Sequence, residues 1–181
     1  AIWTREKKDI SAEQYEEFYK QIGAGFDKPL LTLHNKVEGT LSYINLLFIP
    51  GSRPFDLFQM DVKSKIKLYS NRVLITDDSE SILPRWLRFV KGIVDTSDVD
   101  LNVSREMLQH NVTLNKISKA LKKRVINELK KLKDKDTDKY QSFWNEFGIV
   151  LKEGIYEDFD LKTELLELSK FQSMNEDKPV F

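Results

Sequence analysis

The stretch "LLTLHNKVEGTLSYINLLFIP", residues 30–50, has the composition of β-structure. Leucine, isoleucine, tyrosine, phenylalanine and threonine dominate it, and β-branched and aromatic side chains favour extended backbone. It ends at "PGSRP", residues 50–54, where two prolines, a glycine and a serine predict a turn. We therefore expect the surrounding chain to be built on a β-sheet.

Two later stretches are expected to join the same sheet. "KIKLYSNRVLITD", residues 65–77, predicts either a pair of strands or one long bulged strand. "VKGIVDT", residues 90–96, predicts one more strand. The first hundred residues or so are thus predicted to contain a single sheet.

Helical patterns flank these strands. "SAEQYEEFYKQIG", residues 11–23, predicts a helix with Ser11 and Gln14 as a capping box and Gly23 as its stop. "LPRWLRF", residues 83–89, predicts a short helix with Pro84 in its first turn. Together with the sheet, these helices predict a mixed α/β layer structure.

Helices are predicted to dominate the rest of the chain. Apolar residues recur every three or four positions along one long amphipathic helix: Leu114, Ile117, Leu121, Val125, Leu129 and Leu132. After "DKDTDK", residues 134–139, Thr137 is predicted to cap a second helix with Gly148 near its end. Asp160 is predicted to cap a last helix.

The predicted fold class is α/β, a layered α-β-α domain followed by a long connecting helix and a small helical coil. The predicted domains are a large α/β subdomain over residues 1–134, a small helical subdomain over residues 135–172 and a tail over residues 173–181. Because the chain begins at Ala1 without an initiator methionine, we expect it to be a fragment of something longer.

Composition excludes several classes of function. The chain has 181 residues, of which 29 are Lys or Arg and 29 are Asp or Glu, so no net charge draws it to nucleic acid or to a membrane. It has no cysteine, which excludes disulfides and cysteine-ligated zinc and fits a reducing compartment. It shows no transmembrane run and no signal segment, and its only histidines, His34 and His110, lack metal-ligand spacing.

No nucleotide motif is complete. "GAGFDK", which begins at Gly23, lacks the third glycine of a dinucleotide fingerprint and follows a predicted helix instead of a strand. We therefore predict no nucleotide or metal site within this chain.

The long helix carries a basic face that has two interpretations. Clustered lysines can bind phosphates without sequence preference, but a solvated helix face is favoured because no aromatic residues lie among them to stack bases. The face consists of Lys116, Lys119, Lys122, Lys123, Arg124, Lys130, Lys131 and Lys133.

One residue contradicts a local rule. In "LNVSREMLQ", residues 101–109, Ser104 is a suitable N-cap, but Arg105 places a cation in the first helical turn. A cation there costs about 0.3 to 1 kcal/mol unless an anion is present. Either an anionic ligand binds there, or Arg105 forms an ion pair with one of the nearby acidic residues Asp95, Asp98 and Asp100, and from the residues alone we favour the ion pair.

The stretch "LPRWLRFVKGIVDTSDVDLNVSREMLQ", residues 83–109, closely resembles the signature of the ninety-kilodalton heat-shock chaperone family. Collinear similarity runs from about Trp3 to Phe171, and the amino-acid sequence is most similar to that of the bacterial members. The other similar stretches are "ISAEQYEEFY", "IPGSRPFDLF", "KLYSNRVLITDD" and "KYQSFWNEFGIVLKEGIYED". The resemblance implies the middle segment of such a chaperone, between an N-terminal ATP-binding domain and a C-terminal dimerisation domain.

The resemblance also implies roles for individual residues. Arg105 matches the family arginine that reaches the γ-phosphate of ATP held by the preceding domain, Gln109 matches a glutamine that assists it, and Asn102 matches a residue that positions the loop. Such a permanently charged fork offsets charge on the phosphoryl oxygens. The alternative is a protein-interaction module without catalysis, in which Arg105 forms a structural salt bridge.

Cofactors and partners follow from the same resemblance. ATP and Mg²⁺ are expected in the preceding domain of the full-length protein, and neither a cofactor nor independent ATPase activity is expected for this segment. Expected partners are its own N-terminal ATPase domain, unfolded or partly folded client proteins and co-chaperones, in the cytoplasm, with no nucleic-acid or membrane partner. The full-length protein is expected to be a homodimer and this segment a monomer.

Three further positions complete the comparison with the family. Phe26 matches an aromatic residue that contacts clients, although it could equally be tucked into the sheet edge. Leu74 stands where many members have Phe, and Asp100 where many have Pro, so the loop before Arg105 is expected to be less restrained.

Overall fold

The computed structural model describes residues 1–171, with only the backbone of Asp78. These residues belong to two compact units, one comprising Ala1–Leu121 and the other beginning at Lys122. The division falls inside the long helix, whereas the sequence placed it at residue 134, and the functional subdivision into residues 1–134 and 135–172 stays a prediction. The predicted tail at residues 173–181 lies outside the described residues.

Five strands and five α-helices make up the described chain. The strands are β1 (Leu31–Val37), β2 (Tyr43–Ile49), β3 (Ile66–Ser70), β4 (Val73–Ser79) and β5 (Lys91–Asp95). The helices are α1 (Ala12–Gln21), α2 (Arg105–Gln109), α3 (Val112–Lys135), α4 (Thr137–Glu157) and α5 (Lys162–Leu168). Short 3₁₀ helices lie at Ile2–Thr4, Lys7–Asp9, Arg85–Leu87 and Phe159–Leu161.

The strands form one mixed sheet, as predicted, in the order β1-β2-β5-β3-β4. Neighbouring strands are antiparallel except for β3 and β5, which run parallel. The stretch from 65 to 77 is a pair of strands, not one bulged strand. Asn71 and Arg72 connect the two with φ angles of 48° and 67°, the left-handed backbone that tight hairpin turns require.

Gly92 allows β2 and β5 to pair closely. Its φ is 141°, and a Cβ at this position would lie 2.2 Å from the carbonyl oxygen of Leu46. Since no side chain fits there, a glycine is required at this point of the central strand.

Helix α1 and the N-terminal segment cover one face of the sheet. The predicted capping box is confirmed, because the Ser11 side chain accepts from the Gln14 N–H and the Gln14 side chain accepts from the Ser11 N–H. A buried cluster joins this helix to strands β2 and β5: Trp3, Tyr19, Ala24, Leu46, Phe48 and Ile93. Burial of this apolar surface is the main force that holds the helix to the sheet.

Helix α3 confirms the predicted amphipathic stripe. All six predicted apolar positions are buried, with exposed fractions of 8% or less. In the second unit, Tyr140, Phe143 and Phe147 of α4 are buried and pack ring to ring.

Three predictions for the second unit are wrong in detail. Asp136 caps α4 and Thr137 is its first residue, because the Asp136 carboxylate accepts from the Lys139 N–H at 3.0 Å. The same helix continues past Gly148 to Glu157, so Gly148 does not end it. A glycine is needed at this mid-helix position because a Cβ there would lie 2.6 Å from the Trp144 ring. Asp160 does not cap the last helix, since it lies within the 3₁₀ turn Phe159–Leu161 that precedes α5.

Candidate functional site

The segment before α2 is held at its base by side chains. The Thr96 hydroxyl donates to the Ser42 carbonyl at 2.7 Å, and the Ser42 N–H donates to Asp98 at 3.0 Å. The Ser70 hydroxyl donates to the Val99 carbonyl at 2.6 Å. These bonds attach residues 96–99 to β3 and to the start of β2.

Helix α2 follows after residues 100–104, beyond that support. Ser104 is its N-cap, as predicted, and the Ser104 hydroxyl accepts from the Met107 N–H at 3.4 Å. Arg105 is therefore the first helical residue, and it is exposed. Gln109 follows one turn later, so the two side chains lie on the same face of the helix.

That face borders an open polar cavity of about 320 Å³. The rest of its wall comes from β4, from residues before and after that strand, and from α2: Lys63, Thr76, Ser79, Glu80, Ser81 and Leu108. Lys63 and Glu80 form an exposed ion pair at 3.1 Å across this wall. The lining therefore carries two cations and one carboxylate together with hydroxyl donors, and this net positive charge suits an anionic group.

Asn102 stands apart from the other two predicted residues. It is exposed in the turn before α2, three residues ahead of Arg105. Within the described part of the chain, the residues that line the cavity do not include it.

Two of the three acidic residues named as possible partners of Arg105 accept hydrogen bonds from other residues. The Asp95 carboxylate accepts from the Trp3 indole N–H at 2.8 Å and from the Arg72 backbone N–H at 3.2 Å. Asp98 accepts from the Ser42 N–H. These two carboxylates therefore stabilise the N-terminal segment, the β3–β4 turn and the base of the loop.

Phe26 is fully exposed, so the alternative in which it is tucked into the sheet edge is wrong. The turn behind it is held by Asp27, which accepts from the Tyr19 hydroxyl at 3.0 Å and from the Ser52 hydroxyl at 2.8 Å. Burial and this hydrogen bond raise the pKa of Tyr19, so its hydroxyl stays a donor. Because the turn is anchored on both sides, the phenyl ring is presented on a defined backbone.

Two more apolar side chains of the first unit are nearly as exposed, and sequence reasoning missed them. Phe55 is 97% and Met60 92% exposed, both in the segment after the "PGSRP" turn. The available signal was the apolar content of "PFDLFQM" between predicted strands, where a loop is ordinarily polar. The two departures from the family pattern, Leu74 on β4 and Asp100 before α2, are also exposed.

Residues 1–171 contain neither a cluster of metal-ligating side chains nor a membrane-spanning helix. Within residues 1–171, no three metal-ligating side chains are grouped so that they could hold an ion. Among the helices in the same part of the chain, none is long and apolar enough to cross a membrane.

Comparisons with known proteins agree with the resemblance in the sequence. The profile of the family described as Hsp90 protein matches residues 1–181. The chain is 55% identical over 177 residues to the chaperone protein HtpG of Paramagnetospirillum magneticum, covering 98% of this chain and 28% of that protein. It is 53% identical to the chaperone protein HtpG of Rhodospirillum rubrum, covering 99% of this chain and 29% of that protein.

A solved structure has the same fold. The middle domain of a Plasmodium falciparum heat shock protein superposes with a TM-score of 0.87 at 34% identity, covering 99% of this chain and 70% of that chain. This similarity confirms the predicted mixed α/β class with its sheet and long helices. The chain spans less than a third of the length of the curated relatives named above. Since the family profile covers every residue and relatives are more than half identical, the chain belongs to the Hsp90 protein family.

Proposed function

We propose that this chain is the middle segment of an ATP-dependent chaperone and that it supplies Arg105 to the γ-phosphate of ATP bound in a preceding N-terminal domain. One observation carries the proposal: Arg105 and Gln109 border the same open polar cavity, one helical turn apart. A phosphate group that enters this cavity would contact both side chains at the same time.

The chemistry of the two side chains suits a phosphoryl group. The Arg105 guanidinium is permanently charged, and its planar fork can donate two hydrogen bonds to phosphate oxygens. The Gln109 amide can donate a further hydrogen bond without adding charge. Since Arg105 does not exchange a proton, its contribution is to stabilise negative charge that builds up on the transferred group.

Asn102 is proposed to position the loop and not to contact the phosphate. It lies in the turn between the anchored residues 96–99 and α2, and this location supports a role in orienting the helix. ATP and Mg²⁺ are proposed to be bound by the preceding domain, because this chain offers no grouped metal ligands within residues 1–171.

The test compares the full-length protein with its Arg105→Ala and Arg105→Lys variants. We expect Arg105→Ala to lower kcat for ATP hydrolysis about ten-fold or more, which corresponds to about 1.4 kcal/mol on the barrier, with ATP affinity and thermal stability nearly unchanged. Lysine retains the charge without the fork, so Arg105→Lys should restore only part of the rate.

The matched control is Lys123→Ala, which removes an exposed cation from α3. It should leave kcat unchanged. If kcat is also unchanged in Arg105→Ala, or falls only because that variant unfolds, the catalytic role is wrong and the interaction-module alternative takes its place.

Client binding is proposed for the turn that carries Phe26. A fully exposed phenyl ring on an anchored turn can bury apolar surface against a partly folded chain. In the full-length protein, Phe26→Ala should weaken suppression of aggregation of an unfolded model protein, and Phe26→Trp should retain it.

Tyr156→Ala serves as the control for that experiment, because Tyr156 is an aromatic side chain that is 91% exposed in the second unit. An equal loss in both variants would mean that general surface hydrophobicity, not the Phe26 turn, contacts clients.

The remaining proposals are a cytoplasmic location, contact with co-chaperones and a homodimeric full-length protein.

A further inference from the structure

Asp95 is a buried carboxylate at the end of β5, with an exposed fraction of 6%. It accepts from the Trp3 indole N–H at 2.8 Å, across 92 positions of sequence, and from the Arg72 backbone N–H at 3.2 Å. Hydrogen bonds to a charged group are stronger than neutral ones, and a buried charge that loses a partner is costly. Asp95 therefore ties three separate parts of the first unit together.

Trp3 is itself held firmly. It is 8% exposed, and its ring lies 4.7 Å from the Tyr69 ring and 5.8 Å from the Phe18 ring, measured between centroids. Its carbonyl oxygen accepts from the His34 Nε2 at 2.8 Å. The N-terminal segment is thus bound to the sheet through both the backbone and the side chain of one residue.

The segment that leads to Arg105 begins immediately at Asp95. Residues 96–99 are attached to the sheet by the side-chain bonds of Thr96, Asp98 and Ser70. Beyond them the contact from the Val103 N–H to the Asp100 carbonyl oxygen is long, at 3.4 Å. Residues 95–99 therefore fix the point from which the chain runs to Arg105.

We propose that Asp95 is a positioning residue for Arg105, and that the Trp3 indole N–H couples the N-terminal segment of the chain to it. This inference rests on the proposed function. In that function the ATP-binding domain precedes Ala1, so the N-terminal segment is the covalent connection between that domain and this chain. The Trp3–Asp95 hydrogen bond links that segment directly to the base of the Arg105 loop.

Loss of the Trp3–Asp95 hydrogen bond is therefore expected to lower the rate of ATP hydrolysis without changing the affinity for ATP. Loss of the indole N–H removes the shorter of the two hydrogen bonds to Asp95 Oδ2. The base of the loop is then held less tightly, and Arg105 occupies the productive position less often. ATP affinity should not change, because in the proposed function ATP is bound by another domain.

The experiment uses the full-length protein with Trp3→Phe, which retains an aromatic ring but lacks the N–H. We expect kcat for ATP hydrolysis to fall about three-fold or more with KM for ATP within about two-fold of the native value. Asp95→Asn removes the charge that strengthens this hydrogen bond and should have a similar effect. The double variant should lose little more than either single variant, since both weaken the Trp3–Asp95 interaction.

Trp144→Phe is the matched control, because Trp144 has the same exposed fraction, 8%, and lies in the second unit. It should reduce thermal stability comparably without lowering kcat. If Trp3→Phe leaves kcat unchanged while Arg105→Ala lowers it, or if the losses of the two single variants add fully, the positioning role is wrong and the proposed function stands. If Arg105→Ala also leaves kcat unchanged, the proposed function and this inference both fail.

Discussion

His34 shows how one buried side chain connects two parts of the first unit. Its Nε2 faces the Trp3 carbonyl oxygen at 2.8 Å, and its Nδ1 faces the Tyr15 hydroxyl at 2.7 Å. A carbonyl oxygen only accepts, so Nε2 carries the proton and Nδ1 accepts from Tyr15. The neutral imidazole therefore satisfies both neighbours.

This arrangement predicts a loss of stability at acidic pH. Burial lowers the pKa of His34, with a further lowering by Lys7 and opposing contributions from the Trp3 carbonyl and Glu6. The unfolded chain therefore binds the proton more readily than the folded one, and the free energy of unfolding should fall as the pH drops below about 6.5. Urea unfolding at a series of pH values measures this free energy.

The variant His34→Gln should reduce this dependence, because glutamine does not titrate. His110→Gln, at the exposed histidine, is the control and should leave the dependence as it is in the native protein. An unaltered pH dependence in His34→Gln would show that other groups, not His34, cause the acid sensitivity.

At the level of secondary-structure elements, the junction between α3 and α4 contains two adjacent residues that could cap α4, and only one of them does. Both Asp136 and Thr137 are residue types that cap helices. Only Asp136 has non-helical backbone angles, φ −145° and ψ 82°, and its carboxylate accepts from the Lys139 N–H. A carboxylate at this end also interacts favourably with the helix dipole.

We therefore predict unequal effects of alanine at these two positions. Asp136→Ala should lower the free energy of unfolding by about 1 kcal/mol, through loss of the cap bond and the dipole interaction. Thr137→Ala should leave it nearly unchanged, since Thr137 is the first helical residue. Thermal and urea unfolding of the two variants measure the difference, and a larger loss in Thr137→Ala would contradict the cap assignment.

For the whole molecule, equal numbers of basic and acidic residues conceal a basic helix, and four of its cations pair with nearby carboxylates. Lys122 pairs with Asp158 at 2.6 Å, and Lys130 pairs with Glu167 at 3.2 Å. Further pairs on the same helix are Arg124–Glu128 and Lys131–Glu128. Neighbouring carboxylates weaken the positive potential that a phosphate backbone would need.

We accordingly predict that this protein does not bind nucleic acid. Fluorescence anisotropy with a labelled single-stranded oligonucleotide at about 50 mM salt should show no saturable binding. The double variant Glu128→Gln and Glu167→Gln, which leaves the lysines without their acidic partners, should bind more tightly. Saturable binding by the native protein that weakens steeply with salt would restore the phosphate-binding interpretation of this helix.

The sequence by itself determined the parts of this protein that depend on near neighbours. The capping box at Ser11 and Gln14 and the apolar stripe of α3 follow from contacts three and four residues apart, which a linear pattern displays directly. The strands were predictable for the same reason, because β-branched and aromatic runs favour extended backbone. Similarity of sequence motifs indicated the family, and the family in turn indicated a functional role for Arg105.

Only the tertiary structure decided the features that join distant residues. It placed β5 between β2 and β3, put Arg105 and Gln109 beside a cavity that Lys63 and Glu80 also line, and brought Trp3 to Asp95. Burial cannot be read from residue type either, as the fully exposed Phe26 shows. The physical reason is that local preferences act within one turn or strand, whereas these contacts form only when apolar burial has fixed the sheet and the segments packed on it.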